Sequence, residues 1–277
     1  MKKILTVFLA VMMMASLAAC GGETKTAETA QPAAEPAAVE ETNEIVYGTS
    51  ADYPPFEFIY LDDKGEQQYA GIDVSLAQQI ADDMGKELRV VNMNFDSLMA
   101  SLQKGEVDFV IAAMEATEER LNAADFSAPY YTDYPSMVLV KAANADQYTD
   151  LASFAGKSVG AQTGTMKAEI VLNDMTGANF VGLTTVSDLV NELVYDKCDA
   201  IVLDGAVALQ YAAANEDLVV ADVSLGEAYP YAVAVSKGDP KGLLESINGT
   251  VAAALENGTI DQWIAAADEL SAKAIEE

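Results

Sequence analysis

Arg120 and Asp204 are two charged side chains whose sequence positions point to chemistry. Arg120 ends the motif Thr117-Glu118-Glu119-Arg120, in which Thr117 suits a helix N-cap and the acidic residues suit the first turn. A cation in that turn opposes the helix dipole, so the guanidinium either holds a bound anion or pairs with a nearby carboxylate such as Glu115. Asp204 follows the apolar residues 201–203, so it is either a helix N-cap or a carboxylate that receives an ammonium group.

Hydroxyl and aromatic side chains follow other predicted strands. Residues 159–166 lead from a strand through a glycine turn into a helix, and their N–H groups and the Thr165 hydroxyl could hold a carboxylate. No Gly-Lys-Ser or Gly-Lys-Thr follows, so this turn is not a phosphate loop. Pro54 and Pro55 stiffen the loop that carries Tyr53, which is either one wall of a crevice or a core aromatic. Phe95, after another strand, has the same two interpretations.

These side chains are expected to meet, because ligands of open α/β sheets bind in the crevice beyond the carboxyl ends of the strands. The set combines a cation, a carboxylate, hydroxyl groups and aromatic walls. A zwitterion uses all of them together, with its carboxylate on Arg120, its ammonium group on Asp204 and its side chain between Tyr53 and Phe95. The sequence therefore predicts a small zwitterionic ligand held between two structural units.

The composition excludes several other kinds of site. With 44 acidic and 15 basic residues the formal charge is −29, and that field opposes binding to nucleic acid. The chain has no histidine, which removes Ser-His and Cys-His nucleophiles and every His-ligated metal site. No metal and no cofactor is expected. Cys20 and Cys198 are its only cysteines, and Cys198 is expected to be a buried, unreactive thiol.

The N-terminal residues resemble a bacterial lipoprotein signal. Two lysines precede the apolar residues 4–15, a run of signal-peptide length that is too short to span a membrane. Leu17-Ala18-Ala19-Cys20 then resembles a lipobox, so we expect residues 1–19 to be removed and Cys20 to carry a lipid. An ordinary secretory peptide is the alternative. Residues 20–43, rich in Ala, Glu, Thr and Pro, are predicted to form a flexible linker.

From residue 44 onward short apolar strands alternate with amphipathic helices, the pattern of an α/β fold. The predicted strands cover residues 45–49, 56–60, 88–91, 107–113, 158–162, 180–184, 199–203 and 231–236. Asp73 is predicted to cap the helix whose apolar face includes Leu76 and Ile80. After Tyr131 the chain is predicted to enter a second unit. The segment after Tyr231 is too short for a third unit and is predicted to return to the first, which makes two crossings and a hinge.

The sequence resembles the family-3 extracellular solute-binding proteins, the polar amino-acid receptors of ATP-driven importers. The resemblance extends from about residue 45 to the last helix. The motifs that carry it are Ala51-Asp52-Tyr53-Pro54-Pro55-Phe56-Glu57-Phe58, Gly71-Ile72-Asp73-Val74-Ser75-Leu76-Ala77, Ala116-Thr117-Glu118-Glu119-Arg120 with Asp125-Phe126-Ser127-Ala128-Pro129-Tyr130-Tyr131, and Asp199-Ala200-Ile201-Val202-Leu203-Asp204. It implies a two-lobed α/β periplasmic-binding-protein fold of type II, in which each lobe is a mixed sheet flanked by helices and the ligand lies in the cleft. The expected lobes are residues 44–133 with 229–277, and residues 134–228.

The resemblance also implies roles for individual residues. Arg120 would grip the α-carboxylate of an L-amino acid, and Asp204 would bind its α-ammonium group. The other expected contacts are Tyr53 and Phe95 on either side of the ligand side chain, with Ser50, the Ala113 backbone, Gln162 and Thr165 completing the shell. Asp73 and Glu57, although strong family features, are interpreted as structural.

Glu115 departs from the family pattern, which has Ser or Thr at this position as a donor to the ligand carboxylate. An ionised Glu115 cannot donate a hydrogen bond. It either turns away, pairs with Arg120, or adds negative charge to a site for a cationic side chain. The formal charges of Arg120, Asp204 and Glu115 sum to −1, which suits lysine, arginine or ornithine. Ser50 argues against that preference, because several basic-amino-acid receptors carry an acidic residue at its position.

The leading hypothesis is a receptor without enzymatic activity that passes an L-amino acid to the permease and ATPase subunits of an ABC importer. It is expected to be a monomer, anchored through the lipid on Cys20 to the outer face of the cell membrane, either in a periplasm or on an exposed cell surface. A periplasmic dehydratase-like enzyme, with Glu115 as its acid–base group, is one alternative. An amino-acid sensor module that signals through a partner receptor is another.

Overall fold

A computed structural model describes residues 43–274 of the chain. The predicted signal peptide, the lipidation at Cys20 and nearly all of the predicted linker lie outside the described residues. Within residues 43–274, no helix has the length and apolar character needed to cross a membrane.

The first half of the described chain contributes strands β1 to β8 and helices α1 to α3. The strands are β1 (Glu44–Thr49), β2 (Asp52–Tyr53), β3 (Glu57–Leu61), β4 (Gln67–Ala70), β5 (Glu87–Asn92), β6 (Phe109–Val110), β7 (Ala124–Phe126) and β8 (Tyr131–Thr132). The helices are α1 (Ile72–Asp83), α2 (Phe95–Lys104) and α3 (Glu118–Ala123).

The second half continues the alternation of strands and helices. Its strands are β9 (Met137–Lys141), β10 (Ser158–Gln162), β11 (Asn179–Leu183), β12 (Ala200–Leu203), β13 (Leu218–Val220), β14 (Pro230–Tyr231) and β15 (Ala234–Ser236). Its α-helices are α4 (Met166–Asn173), α5 (Val186–Val194), α6 (Gly205–Ala214), α7 (Leu244–Glu256) and α8 (Thr259–Ser271), and short 3₁₀ helices span Ala142–Gln147 and Leu151–Phe154.

Ten of these strands form two five-stranded mixed sheets, each at the centre of one lobe, while β2, β3 and β4 form a separate antiparallel sheet and β8 pairs with β14. The first sheet has the order β5-β1-β6-β15-β7, with β1 parallel to β5 and β6 and with β15 antiparallel to both of its neighbours. The second has the order β11-β10-β12-β9-β13, with β10 parallel to β11 and β12 and with β9 antiparallel to its neighbours. The predicted fold class, two α/β lobes with mixed sheets flanked by helices, is confirmed.

Each lobe buries apolar side chains of its strands under its helices. In the first lobe, Ile45 and Tyr47 of β1 are buried, and α1 covers the sheet region with Leu76 and Ile80. In the second lobe all of β12 is buried, because helices and neighbouring strands cover it on both sides. This burial fixes the carboxyl ends of the parallel strands, from which the candidate site residues project.

Helix α1 begins differently from the prediction. Its N-cap is Gly71, which has a φ of 123°, and a Cβ added there would lie 2.0 Å from the Phe56 carbonyl oxygen. Only glycine fits this close approach of two backbone segments. Asp73 was expected to cap the helix, but it makes no capping bond, because its carboxylate accepts hydrogen bonds from the Ala113 N–H and the Tyr130 hydroxyl.

The chain passes between the lobes on paired strands. β8 leads away from the first lobe and β14 returns to it, and the two pair antiparallel with Thr132 opposite Pro230 and Tyr131 opposite Tyr231. Strand β15 then joins the first sheet between β6 and β7. The late segment thus returns to the first sheet, as the length argument predicted, whereas the exact residues that bound each lobe remain a prediction.

Candidate functional site

The candidate site lies between the two lobes, and most of the predicted site residues line one small cavity there. The volume of the cavity that the centre of a water molecule can occupy is about 10 Å³, enough for about one water. Its lining includes seven predicted residues, namely Ser50, Tyr53, Phe95, Ala113, Gln162, Thr165 and Asp204. Asp52, Glu57, Ala112 and Lys167 complete the lining. Glu115 and Arg120 contact this group from the side.

Asp204 occupies a helix N-cap position without acting as a cap. It directly precedes α6, yet its side chain makes no bond to the helix N–H groups. Its Oδ2 instead accepts hydrogen bonds from the Tyr53 hydroxyl at 2.8 Å and from the Lys167 ammonium group at 2.7 Å. The capping interpretation is therefore wrong for this side chain, and the ammonium group that Asp204 receives here is that of Lys167, so its binding of a ligand ammonium group stays a prediction.

Lys167, which the sequence analysis did not identify, lies at the centre of the site. Its Nζ donates to Glu115 Oε1 at 2.7 Å and to Asp204 Oδ2 at 2.7 Å, and the residue is only 4% exposed. Burial alone lowers the pKa of a lysine, but the charges of Asp204 and Glu115 outweigh burial and raise the pKa of Lys167 above its usual value. The side chain is therefore an ammonium ion at neutral pH.

The topology of the second lobe explains why Lys167 meets Asp204. Strands β10 and β12 are parallel neighbours, so α4 and α6 both begin at the same edge of the sheet. Lys167 lies in the first turn of α4 and Asp204 directly precedes α6. A cation in the first turn of a helix opposes the dipole, the same anomaly that singles out Arg120. That rule could have found Lys167 in the sequence.

Glu115 joins the two cations of the site. Its Oε1 accepts from Lys167, and its Oε2 and backbone carbonyl both accept from Arg120 Nη1 at 2.9 Å. Burial raises the pKa of Glu115, but Lys167 and Arg120 outweigh that effect and hold it at about 2. Of the three possibilities considered for Glu115, the structure shows the pairing with Arg120, and it adds a second pairing with Lys167.

Arg120 follows the N-cap that the sequence predicted. The Thr117 hydroxyl caps α3 by accepting from the Arg120 N–H at 3.2 Å. The guanidinium lies over the Phe95 ring, with Cζ 5.2 Å from the ring centroid, and its Nη2 donates to the Gly164 carbonyl across the cleft at 3.1 Å. A cation over a ring face is favourable, so Phe95 helps to orient the guanidinium.

Tyr53 contacts the site through its hydroxyl group. The hydroxyl donates to Asp204 Oδ2 and accepts from the Asp204 N–H at 3.1 Å. Burial, followed by the charge of Asp204, raises the pKa of Tyr53 well above its usual value, so the hydroxyl stays protonated and can donate. Tyr53 and Phe95 both line the cavity, and their predicted places on either side of a ligand side chain remain a prediction.

Two predicted donors are committed to other partners. The Ala113 N–H was expected to contact the ligand, but it donates to Asp73 Oδ2 at 2.7 Å, and Ala113 has a φ of 43°. The Thr165 hydroxyl was expected to hold a carboxylate, but it donates to the Gln162 carbonyl at 2.7 Å and accepts from the Ala168 N–H as the N-cap of α4. Both residues therefore shape the cavity with their donor hydrogens already used.

Ser50 and Gln162 hold neighbouring groups in place. The Ser50 hydroxyl donates to Asp52 Oδ1 at 3.2 Å, and Asp52 Oδ2 accepts from the Val186 N–H at the start of α5 at 2.6 Å. The Gln162 amide donates to the Thr184 carbonyl at 3.0 Å. Ser50 thus meets an acidic neighbour two residues along the chain, although Ser50 itself replaces the acid that several basic-amino-acid receptors carry.

Hydrogen bonds across the cleft hold the lobes against each other. They join Tyr53 to Asp204, Asp52 to Val186, Asp96 to Thr163, Arg120 to Gly164 and Glu115 to Lys167. All five involve a charged partner on one side, and charge-assisted hydrogen bonds are stronger than neutral ones. Contacts between the lobes thus bring the charged groups of the site together.

The other candidate groups do not form a reactive centre in the described chain. Within residues 43–274 no cluster of three or more His, Cys, Asp or Glu side chains has the arrangement of a metal site. Cys198 is buried, and burial raises the pKa of its thiol to about 11. Because only the thiolate is a strong nucleophile, Cys198 is unreactive at neutral pH, as the sequence predicted.

The fold and the site match a known family. The model of the bacterial extracellular solute-binding proteins, family 3, matches residues 45–266. The chain is 34% identical over 233 residues to the arginine-binding extracellular protein ArtP of Bacillus subtilis (82% of this chain, 84% of ArtP), and 32% identical over 269 residues to a probable histidine-binding protein of Campylobacter jejuni (95% and 98%). Among solved structures, the amino acid ABC transporter substrate-binding protein AbpA from Streptococcus pneumoniae, bound to L-arginine, aligns with a TM-score of 0.79 at 31% identity over 84% of this chain and 97% of that chain. The chain therefore belongs to the bacterial extracellular solute-binding proteins, family 3.

Proposed function

We propose that the chain captures an L-amino acid between its lobes and delivers it to the permease of an ATP-driven importer. The observation that carries this proposal is the pair of oppositely charged side chains, Arg120 and Asp204, buried on opposite sides of one cleft. The names of the relatives, for arginine and histidine, support an amino acid as the ligand.

The geometry suggests how the ligand would be held. The α-carboxylate would accept from Arg120, whose guanidinium is already oriented by Phe95 and Glu115. The α-ammonium group would donate to Asp204, beside the Tyr53 hydroxyl. Closure of the lobes would remove water from these contacts, and charged hydrogen bonds are stronger in such a low-dielectric site. The closed form would then be the state that the permease binds.

The same groups favour binding over catalysis. Glu115 was the candidate acid–base residue of a dehydratase-like enzyme, but it pairs with Lys167 and Arg120 and its pKa is held at about 2. A general acid or base works best with a pKa near the working pH. We therefore propose a receptor without enzymatic activity.

The proposal also covers the location of the protein. The family places the chain outside the cytoplasm, and the lipobox-like residues around Cys20 support a lipid anchor on the outer face of the membrane. We propose that the mature protein is a monomer, tethered by residues 20–43, with lobes at residues 44–133 plus 229–277 and at residues 134–228.

A thermal-shift screen of the purified full-length protein in mild detergent tests the proposal. At about 100 times its dissociation constant, a true ligand adds roughly 2.7 kcal/mol of stability. We expect a response to one or a few L-amino acids among the standard set, with small keto acids as controls. No response to any amino acid would contradict the proposal, as would turnover of a keto acid.

Replacing Arg120 tests how the ligand is held. We expect Arg120→Ala to weaken binding by about 2–5 kcal/mol, as for one partner of a buried charge pair. Arg89→Ala is the matched control, because Arg89 forms an exposed ion pair with Glu44 at 3.5 Å, far from the cleft. Unchanged affinity in Arg120→Ala would show that the carboxylate is held elsewhere.

A further inference from the structure

We infer that Lys167 determines the charge of the ligand, so that the cleft selects L-amino acids with uncharged polar side chains and disfavours cationic ones. This inference rests on the proposed function, since it names the class of amino acid that the same site binds. It starts from the ion pairs of Lys167 and from the charge balance of the groups around them.

The ammonium group of Lys167 is a fixed part of the cleft. It is buried between carboxylates on both lobes, 2.7 Å from Glu115 on the first and 2.7 Å from Asp204 on the second. Its backbone belongs to α4. The N-cap of this helix, Thr165, is buried, and so is most of the preceding strand β10. A short, charged and buried ion pair of this kind keeps its geometry, because an unpaired charge in the same place is costly.

The charges in the cleft cancel once Lys167 is counted. Arg120 and Lys167 contribute +2, and Glu115 and Asp204 contribute −2, so these four groups sum to zero. A zwitterion takes Arg120 for its carboxylate and Asp204 for its ammonium group. Lys167 and Glu115 then remain as a pair, and the ligand side chain meets no unbalanced charge from these groups.

Two other acidic groups, Asp52 and Glu57, line the same cavity. The Asp52 carboxylate accepts from Ser50 and from the N–H of Val186 at the N-terminal end of α5, where the helix dipole favours a negative charge. Burial, with a further contribution from Asp73, raises the pKa of Glu57 well above its usual range, which favours the uncharged form of this buried carboxyl group, and its Oε2 accepts no hydrogen bond from the described residues. A cationic side chain would therefore approach the Lys167 ammonium group in a cavity whose Asp52 carboxylate already accepts from Ser50 and Val186.

The uncharged lining favours polar side chains. Ser50, Gln162 and the peptide groups around Thr165 line the same cavity and can exchange hydrogen bonds with a hydroxyl or amide. An acidic side chain would draw Lys167 away from Glu115 and leave that carboxylate with Arg120 alone. An uncharged polar side chain leaves the Lys167–Glu115 pair in place.

Isothermal titration calorimetry with wild type and Lys167→Gln tests the inference. The ligands are L-glutamine, L-serine, L-arginine, L-lysine and L-glutamate. We expect the wild type to bind an uncharged ligand at least about tenfold more tightly than arginine, because like charges at close range are strongly unfavourable. In Lys167→Gln, Glu115 loses one of its two cations, and we expect the ratio of arginine affinity to uncharged-ligand affinity to rise at least about tenfold.

The reciprocal variant guards against a folding defect in Lys167→Gln. Glu115→Gln releases Lys167 from its cross-lobe partner and leaves an excess positive charge, so we expect glutamate to gain affinity relative to arginine by about tenfold. Lys157→Gln, which alters a half-exposed ion pair 3.6 Å from Asp199, is the control and should keep the wild-type ranking.

The outcomes separate the two proposals. A wild type that binds arginine most tightly, or a ranking that neither Lys167→Gln nor Glu115→Gln changes, overturns the role of Lys167 while leaving an amino-acid receptor in place. Failure of the wild type and of both variants to bind any of the five ligands or any other L-amino acid overturns the proposed function itself, and the inference with it.

Discussion

One pair of buried carboxyl groups in the described chain, Glu115 and Asp204, meets a lysine ammonium group, whereas another, Glu57 and Asp73, meets uncharged donors. Both pairs lie at or near the cleft, and all four residues are at most 4% exposed. In the first pair Lys167 bridges the two carboxylates at 2.7 Å. In the second the two carboxyl groups share a hydrogen bond, and Asp73 also accepts from Ala113 and Tyr130.

The two pairs therefore carry different charges at neutral pH. The pKa of Glu115 is held at about 2 by its cations, so Glu115 is ionised. Burial and the charge of Asp73 raise the pKa of Glu57 well above its usual value, so Glu57 favours its protonated form, in which it can donate to Asp73. Two carboxylates cannot both remain charged at close range without a cation between them.

The two pairs also differ in where they act: one lies within a lobe, and the other joins the two lobes across the cleft. The Glu57–Asp73 pair lies within the first lobe and ties α1 to the Ala113 turn, whatever the positions of the lobes. The Glu115–Lys167 pair joins the two lobes, so it depends on how they are placed against each other. The same two residue types thus make a contact within one lobe in one place and contacts that reach the second lobe in the other.

Removing the cation should produce the largest effect. We expect Lys167→Met to lower the free energy of unfolding at pH 7 by about 3–5 kcal/mol, because it leaves Glu115 and Asp204 facing each other without a cation. Urea denaturation followed by circular dichroism measures this loss. Lys157→Met is the matched control and should cost less than about 1 kcal/mol, since its ion pair is half-exposed. A cost for Lys167→Met as small as the control's would refute the buried ion pair.

Lowering the pH should remove the contribution of ionised Glu115 to the free energy of unfolding. The pKa of Glu115 is about 2 in the folded chain and 4.5 for an unperturbed Glu, so its contribution to stability is complete above about pH 4.5 and is lost as the pH falls toward 2. We expect the stability difference between wild type and Glu115→Gln to shrink by about 3 kcal/mol between pH 6 and pH 2. Denaturation at several pH values measures it, and a constant difference would contradict the lowered pKa.

The uncharged pair should be sensitive at Asp73. Asp73→Asn keeps one acceptor oxygen but places an amide donor near the Ala113 N–H, the Tyr130 hydroxyl and the Glu57 carboxyl group. We expect a loss of about 2 kcal/mol in unfolding free energy, typical of a buried donor left without an acceptor. Calorimetric melting of the variant measures this loss, and full wild-type stability would show that Asp73 is not the acceptor of the pair.

Glu57 should tolerate the equivalent change, with an effect that depends on pH. Glu57→Gln keeps a donor to Asp73 and cannot ionise. The folded pKa of Glu57 lies above its unfolded value, so the wild type loses stability as the pH rises above about 4.5, by up to about 1.4 kcal/mol per pH unit. Melting from pH 5 to pH 7 should show Glu57→Gln gaining on the wild type. A stability difference between the two proteins that stays constant from pH 5 to pH 7 would contradict the raised pKa of Glu57.

Much of the fold was predictable because its strands are short apolar runs that end at glycines or polar residues. The run at residues 158–162 corresponds residue for residue to β10. By contrast, the antiparallel strands β9 and β13 were not predicted, and the apolar run at residues 107–113 gives only the two residues of β6. Local pattern reports which side chains are apolar, but strand pairing depends on partners that are distant in the sequence.

The site was predictable wherever a residue follows a strand. Asp204 and Arg120 were found in this way, although neither sequence position could decide between capping or pairing and ligand binding. Lys167 was missed because a lysine in the first turn of a helix resembles a solvated surface residue. Its burial comes from Glu115 on the other lobe, a contact between residues 52 positions apart. The donors of Ala113 and Thr165 were misassigned for the same reason, since their partners are set by packing.

The pairing of β8 with β14 makes the second lobe an exchangeable module. Thr132 lies opposite Pro230, so the chain leaves and re-enters the first lobe at points about 5 Å apart, one interstrand spacing. A lobe inserted at a single narrow junction can be replaced by another lobe without rerouting the rest of the chain. A chimera could thus join this first lobe to the second lobe of an arginine-binding relative at the β8–β14 junction, with the path of the first lobe unchanged. The residue at position 167 would then move between proteins together with its lobe.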